Sequence, residues 1–242
     1  MTAFSAELIG TFLLILMGCG VNANVVLEGT KGQNSGWIVI TTGWALAVYV
    51  GVVVATPYSG AHLNPAVTIG LAAAGEFSWQ AAPEFILAQF LGALLGAFGV
   101  WLMHRDHFNR TKDPGSQLGV FSTAPAISNT GLNLVGELLG TFVLVFTVLY
   151  FSQATLGNDN AVIGLGALGA LPVALLVWGI GLCLGGTTGY AINPIRDFAP
   201  RVIHFLVPMQ GKGSSNWGYS WIPVVGPILG AGVAALVYLG LS

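Results

Sequence analysis

Two short polar segments interrupt a chain that otherwise carries almost no charge. The first reads SGAHLNPAVTIG at 59–70, and the second reads GYAINPIRDFAPR at 189–201. Neither contains a nucleophile beside a base or a cluster of metal ligands, so covalent catalysis is not indicated and no metal or cofactor is expected. Side-chain amides and a guanidinium in apolar surroundings indicate hydrogen bonding to a neutral molecule instead.

Each segment contains an Asn-Pro pair that predicts the start of a helix. Asn caps the first helical turn with its side chain, and Pro at the first helical position loses nothing by lacking an N–H. The two motifs are Asn64, Pro65, Ala66 and Asn193, Pro194, Ile195. Only about half a membrane span follows each motif, which predicts two short helices that enter a bilayer and stop.

The composition indicates that lipid is the solvent of this chain. Of its 242 residues 55% are hydrophobic and 7% are charged, whereas soluble domains carry about 25% charged residues. The net charge of −2 and the lack of a basic cluster argue against nucleic-acid binding. Six apolar stretches reach the ~20 residues that a membrane helix needs, and they lie near 4–25, 37–57, 83–103, 132–153, 161–184 and 219–241.

An internal repeat organises these spans. AELIGTFLL at 6–14 recurs as GELLGTFVL at 136–144, and the Asn-Pro pair at 64–65 recurs at 193–194. We therefore expect one channel domain, 1–242, with halves 1–103 and 132–242 joined by a loop at 104–131. Because each half has three spans, the second must enter the membrane inverted. The predicted fold is an all-α membrane protein with six transmembrane helices, two re-entrant half-helices and an inverted three-span repeat.

The two half-helices are expected to meet end to end near the middle of the bilayer, presenting positive helix ends and the two asparagine amides. Non-helical backbone at that depth must be buried or line a water-filled cavity. The alternative is two interfacial turns that happen to begin with Asn-Pro. The backbone before each motif would supply acceptor carbonyls from Gly60, Ala61, His62, Leu63, Gly189, Tyr190, Ala191 and Ile192.

SGAHLNPAV and GYAINPIRDFAPR, together with the AELIGTF-like openings, resemble the signature segments of the major intrinsic proteins, the aquaporin family. Family spacing from the two asparagines places a selectivity filter at Trp44, Gly181, Tyr190 and Arg196. Gly181 stands where water-only channels usually have His, and Trp44 where they usually have Phe, as in the glycerol-facilitator branch. Trp44 and Tyr190 would form an aromatic corner opposite Arg196, and Gly181 would widen it.

Other charged residues receive supporting roles. Glu7 and Glu137 occupy equivalent repeat positions and are expected to accept backbone N–H bonds from the re-entrant loops. Asp197 is interpreted as structural, in the first turn of the second half-helix, where a negative charge is favoured. His62 either lends its carbonyl to the pore or is a packed histidine. The Gly92-x-x-x-Gly96 and Gly226-x-x-x-Gly230 pairs predict close helix contacts.

Two features depart from the family pattern. Ile195 replaces the usual alanine and is expected to narrow or displace the midplane. In addition, the loops that the family topology places outside contain Lys31, Arg105, Arg110, Lys112 and Lys212. The positive-inside rule would turn the protein over, whereas the resemblance places both termini in the cytoplasm.

The resemblance implies a passive, homotetrameric channel in the plasma membrane that conducts glycerol, other small neutral solutes and water but excludes protons and ions. The alternative within this class conducts mainly water, urea, dihydroxyacetone, hydrogen peroxide or undissociated lactic acid. The rival classes are an intramembrane enzyme and an ion-coupled transporter, which would need a titratable group at the midplane.

Overall fold

The protein is helical throughout most of its length. A computed structural model describes residues 1–157 and 161–241. The elements, in chain order, are α1 (Ala3–Val26), α2 (Trp37–Ser59), α3 (Pro65–Ala73), α4 (Ala82–Met103), α5 (Arg105–Arg110), α6 (Pro114–Phe121), α7 (Thr130–Leu149), β1 (Thr155–Leu156), β2 (Ala161–Val162), a 3-10 turn (Gly166–Ala170), α8 (Leu171–Cys183), α9 (Pro194–Leu206) and α10 (Ile222–Leu241).

Six segments of the described chain are long and apolar enough to cross a membrane: α1, α2, α4, α7, α10 and the 3-10 turn together with α8. Leucines such as Leu46, Leu95 and Leu236 point outward from these helices and are more than half exposed. An apolar outer surface of this kind suits lipid rather than water. The protein is a multi-pass integral membrane protein.

The two short helices interlock the halves of the molecule. The half-helix α3 belongs to the first half but packs mainly on α10, and α9 belongs to the second half but packs mainly on α4. Neither half-helix reaches across the membrane, because α3 has 9 residues and α9 has 13. The two re-entrant half-helices and the inverted repeat are confirmed.

Glycines set the closest helix contacts, as the small-residue pairs predict. A Cβ built on Gly92 of α4 would lie 2.2 Å from the Leu8 carbonyl oxygen of α1. The repeat reproduces this contact, since a Cβ on Gly230 of α10 would lie 2.3 Å from the Leu138 carbonyl oxygen of α7. Both helix pairs can approach so closely only because no side chain stands between their backbones.

Two span boundaries and one loop differ from the sequence prediction. The span predicted at 161–184 begins later, because β1 and β2 pair as antiparallel strands and the α-helix starts only at Leu171. The span predicted at 132–153 ends at Leu149. The loop predicted at 104–131 contains two short helices, α5 and α6.

Candidate functional site

The ends of α3 and α9 meet inside the molecule through their capping asparagines. The Asn64 side-chain oxygen accepts the Ala66 N–H at 2.8 Å, and the Asn193 oxygen accepts the Ile195 N–H at 3.1 Å. Each amide nitrogen then crosses to the other loop. Asn64 Nδ2 donates to the Ile192 carbonyl at 2.8 Å, and Asn193 Nδ2 donates to the Leu63 carbonyl at 3.0 Å.

These crossed bonds use one of the two protons on each amide. The second proton of each stays available, and both asparagines line the same cavity. Each helix therefore presents one free side-chain donor next to its positive N-terminal end. The sequence did not indicate that half of the donor capacity of each amide holds the two loops together.

The backbone before each asparagine adopts the same unusual conformation in both halves. Ala61 and Leu63 have φ values of 57° and 51°, and the equivalent Tyr190 and Ile192 have values of 39° and 43°. Non-glycine residues seldom adopt positive φ, and such strain costs roughly 1–3 kcal/mol each. The conformation recurs at equivalent positions of both loops, so the fold must hold it in place.

Two buried carboxylates hold this backbone. Glu7 Oε1 accepts the His62 N–H at 2.9 Å, and Glu7 Oε2 accepts the Leu63 N–H at 2.8 Å. In the second half Glu137 accepts the N–H groups of Ala191 at 3.0 Å and of Ile192 at 2.9 Å. Each carboxylate is fully buried. With their N–H groups bound from behind, the loops can direct carbonyl oxygens toward the cavity.

A cavity of about 260 Å³ runs along these loops. Its polar lining includes Gly60, Ala61, His62, Leu63, Tyr190, Ala191 and Ile192 from the carbonyl segments, together with Asn64, Asn193 and Arg196. Its apolar lining comes from the long helices and includes Leu14, Val48, Val52, Leu144, Val148, Val173 and Val177. The cavity is thus lined by hydrogen-bonding groups from the loops and by apolar side chains from the long helices.

At one end of the cavity a guanidinium packs against an indole. The Arg196 Cζ atom lies 4.0 Å from the centroid of the Trp44 ring, and both residues are more than nine-tenths buried. Arg196 Nη1 also donates to the Phe121 carbonyl at 3.3 Å. This leaves further N–H groups of the guanidinium without a described acceptor, so they can donate to a solute.

Tyr190 and Gly181 act together in a way that the sequence did not reveal. A Cβ on Gly181 would lie 2.8 Å from Tyr190 Cζ, and one on Gly185 would lie 2.5 Å from Tyr190 Cδ1. The ring thus occupies the notch that the two glycines leave, with its edge against Trp37 at a centroid distance of 5.7 Å. Gly181 does not line the cavity; its expected widening effect is taken up by the tyrosine ring.

Several residues assigned to the pore stand behind its wall. Pro65, Ala66, Pro194, Ile195 and Gly189 are absent from the described lining of the cavity. The Ile195 side chain is 5% exposed and belongs to the hydrophobic core. Ile195 thus packs in the core and does not line the cavity, and its expected effect on the midplane stays a prediction.

Asp197 anchors the connecting segment instead of facing the cavity. Its Oδ2 accepts the backbone N–H and the hydroxyl of Thr123, each at 2.7 Å. It also forms a fully buried salt bridge with Arg201, with 2.7 Å between Nη2 and Oδ1. Arg201 in turn donates to the carbonyls of Thr123 and Ser215. Residues 119–123 are thereby fixed next to Arg196.

Comparison with known proteins gives this architecture a family. The sequence profile described as "Major intrinsic protein" matches residues 1–238. The chain belongs to the major intrinsic protein family. A solved structure described as the aquaglyceroporin from Plasmodium falciparum superposes with a TM-score of 0.81 at 30% identity, covering 97% of this chain and 93% of that one.

Bacterial members of the major intrinsic protein family are more similar in sequence. The "Probable glycerol uptake facilitator protein" of Thermotoga maritima is 50% identical over 238 residues, which cover 98% of both chains. The "Glycerol uptake facilitator protein" of Streptococcus pneumoniae R6 is also 50% identical, over 242 residues. That of Bacillus subtilis is 48% identical over 98% of this chain and 84% of its own.

One polar cluster of this major intrinsic protein escaped sequence reasoning. Gln89 of α4 is fully buried and donates to Glu7 Oε2 at 2.8 Å and to the Thr68 hydroxyl at 3.1 Å. Thr68 lies 3.1 Å from His62 Nδ1, whose ring packs against Phe77 and Phe85. A glutamine in the middle of an apolar span was the available signal. The His62 ring is packed and the residue also lines the cavity, while the role of its carbonyl in the pore stays a prediction.

Proposed function

We propose that the protein is a passive channel for glycerol and other small neutral solutes, and for water, that excludes protons and ions. The observation that carries this function is the cavity lined by apolar side chains together with hydrogen-bonding groups, among them both asparagines and Arg196. A polyol has a carbon side and a hydroxyl side and can lie along such a cavity with both sides matched. Three relatives named as glycerol uptake facilitators, one of them as a probable one, support this choice.

The residues at the cavity end supply a filter in this proposal. Arg196 donates to hydroxyl groups, the Trp44 ring contacts the carbon backbone, and Tyr190 closes the third side from the notch at Gly181. Asn64 and Asn193 then each offer a proton to the solute oxygen at the midplane. Successive polar contacts replace the water that a solute sheds on entering, while the apolar side keeps the path narrow.

Cations are excluded by the same groups. Two helix N-termini and a permanently charged guanidinium place positive potential along a water-poor path, which is unfavourable for a cation or a hydrated proton. No cluster of three or more possible metal ligands occurs among the described residues. This arrangement supports channel transport rather than enzymatic catalysis or ion coupling.

A second candidate keeps the channel but changes its main solute. The Tyr190 ring occupies the space that Gly181 leaves, and the Arg196 guanidinium lies directly on the Trp44 indole. A filter this closely packed favours smaller neutral solutes such as water or hydrogen peroxide; urea, dihydroxyacetone and undissociated lactic acid are the larger members of this alternative.

Stopped-flow light scattering on proteoliposomes tests the proposal directly. Glycerol entry and water exit are measured at equal protein density and compared with protein-free vesicles. We expect glycerol entry well above the lipid background, unaffected by a pH gradient. Water flux without glycerol flux would favour the smaller-solute channel, and uphill uptake driven by a proton gradient would contradict passive conduction.

The assembly and its placement are proposed on family grounds. We expect a homotetramer in the plasma membrane with both termini in the cytoplasm, as the family resemblance implies. The local roles of two loop cations support this orientation against the positive-inside rule. Lys212 Nζ donates to three carbonyls at the end of α9, and Arg105 lies 5.7 Å from the Trp101 ring centroid. Native mass spectrometry of the detergent-extracted protein tests the oligomeric state.

A further inference from the structure

A buried asparagine on α1 links the filter to the connecting segment. Asn22 is 5% exposed, and its side-chain oxygen accepts the Trp44 indole N–H at 3.0 Å. Its amide nitrogen donates to the carbonyls of Gly119 and Val120 at 3.1 and 3.3 Å. Asn22 therefore uses both ends of its amide, one on a filter side chain and the other on residues 119–123.

The same segment holds the other partner of the filter. The Phe121 carbonyl accepts a bond from Arg196, and Asp197 binds the backbone and hydroxyl of Thr123. Arg196 and Trp44 come from opposite halves of the chain, yet both are tied to one short segment. The distance of 4.0 Å between Arg196 Cζ and the centroid of the Trp44 ring thus depends on two hydrogen bonds. One joins Arg196 to the Phe121 carbonyl, and the other joins the Trp44 indole to Asn22.

Asn22 also decides which part of Trp44 a solute can meet. An indole N–H that lost its acceptor would be driven to find another one, because an unpaired buried donor is costly. Because Trp44 lines the cavity, solute oxygens and water there can then accept this N–H. With Asn22 in place, the indole N–H is occupied and the ring offers the solute only its apolar surface. Gly18 leaves space for the Trp44 ring, since a Cβ on Gly18 would lie 2.3 Å from Trp44 Cζ3.

We propose that Asn22 is a positioning residue that sets solute selectivity by fixing the Trp44 indole against Arg196 and withholding its N–H from the pore. This proposal rests on the proposed channel function. A polyol needs both the apolar surface of the Trp44 ring and the Arg196 guanidinium at a fixed separation. A water molecule needs only the open space beside these two groups. Loss of Asn22 should therefore affect glycerol permeation more than water permeation.

The test compares Asn22→Leu with a matched control, Asn133→Leu. Asn133 is equally buried at 5% exposure, and its amide likewise donates to a loop carbonyl, that of Ile127, at 3.3 Å, yet its bonds hold the 127–129 turn. We expect Asn22→Leu to lower the ratio of glycerol to water permeability roughly three- to ten-fold, the size of effect that one lost hydrogen bond produces. Asn133→Leu should leave the ratio within about twofold of wild type.

A double-mutant cycle separates positioning from general packing. In a Trp44→Phe background, where no indole N–H exists, Asn22→Leu should change the ratio much less than in wild type, since only its bonds to the Gly119 and Val120 carbonyls are then lost. An unchanged ratio in Asn22→Leu, equal falls in both leucine variants, or a fall in the Trp44→Phe background as large as that in wild type would overturn the proposal. If Asn22→Leu does not fold, Asn22→Ser, which is smaller and leaves room for water, takes its place with the same expectation.

A spectroscopic measurement keeps this proposal independent of the transported solute. In ¹⁵N-tryptophan-labelled protein in nanodiscs, the Trp44 indole resonance is assigned by its absence from Trp44→Phe. We expect the serine or leucine variant to shift this resonance upfield in ¹H and to speed its exchange with solvent. If wild type conducts no glycerol, the proposed function fails; if the Trp44 resonance is unchanged by substitution at Asn22, the positioning role fails whatever the channel conducts.

Discussion

At Gly181 the missing side chain is what admits the ring of Tyr190. We predict that Gly181→Ala lowers glycerol permeability severalfold, because its Cβ would stand 2.8 Å from the ring and push it toward the cavity. Gly179→Ala on the same helix is the control, since a Cβ there meets nothing within 4 Å. Light scattering on both variants checks this. Equal permeability in the two would show that the notch does not set the filter.

The buried glutamates Glu7 and Glu137 give a second prediction at the scale of single residues. We predict that Glu7→Gln or Glu137→Gln destabilises the protein by about 1–3 kcal/mol, because an amide presents one acceptor oxygen where the loops need two. The thermal unfolding temperature in detergent measures this loss, together with solute flux. Glu84→Gln, at an exposed position in the first turn of α4, is the control and should unfold near the wild-type temperature.

The sequence reveals the candidate site well where a residue has a fixed local task. Asn64 and Asn193 cap helices in the described structure because Asn-Pro carries a local preference for that start. Glu7 and Glu137 could be recognised as candidate site residues, because an acidic side chain inside a membrane span is costly and is retained where it has a role. By contrast, the notch at Gly181 and Gly185 depends on where the Tyr190 ring lies in three dimensions, and no spacing rule supplies that position.

At the scale of elements, the connecting segment 119–123 depends on one buried ion pair. We predict that Arg201→Met destabilises the protein by about 3–5 kcal/mol, because it leaves Asp197 charged and buried without its partner. The double variant Asp197→Asn with Arg201→Met should recover part of this loss, since no unpaired charge then remains. Denaturation in detergent measures both. A double variant no more stable than Arg201→Met alone would contradict the ion-pair argument.

The helix that leads into this segment has a cap sensitive to pH. Hydrogen bonds from the Ser116 side chain and backbone, and from the Gly115 N–H, lower the pKa of Asp113 from its ordinary value. Because the pKa is lower in the folded state, this cap stabilises α6 above the unfolded-state pKa and is lost as pH falls through the folded-state pKa.

Hydropathy predicts spans better than it predicts their ends. The stretch at 161–184 is apolar throughout, yet Gly164, Gly166 and Gly169 give its first third no preference for α-helix. The α-helix begins at Leu171, where Pro172 suits a first turn. The two helices within 104–131 were missed because each has at most 8 residues, too few for a periodic pattern.

At the scale of the whole molecule, the number of spans and the repeat could be predicted, whereas the exchange of packing partners between the halves could not. The division at 1–103 and 132–242 stays a prediction. The halves cannot be independent units in this structure, because α3 packs on α10 and α9 packs on α4. Tertiary packing of this kind leaves no mark on hydrophobic periodicity.

Orientation is tested on intact cells by cysteine labelling. We predict that Lys112→Cys reacts with an impermeant maleimide from outside, whereas Glu76→Cys reacts only after the membrane is opened. Both variants carry Cys183→Ser, because Cys183 is an exposed free thiol, while Cys19 is buried. Labelling with the opposite pattern would show that the positive-inside rule prevails over the family topology.

The crossed bonds between Asn64 and Ile192 and between Asn193 and Leu63 have a kinetic consequence. A molecule arriving from either side meets the same amide, the same type of carbonyl and the same helix end in the same order at the centre. The barrier at the centre is therefore close to symmetric, so this part of the pore favours neither direction of passage. Because passive conduction runs only down the concentration gradient of a solute, net uptake continues only while the cell consumes or modifies the solute after entry.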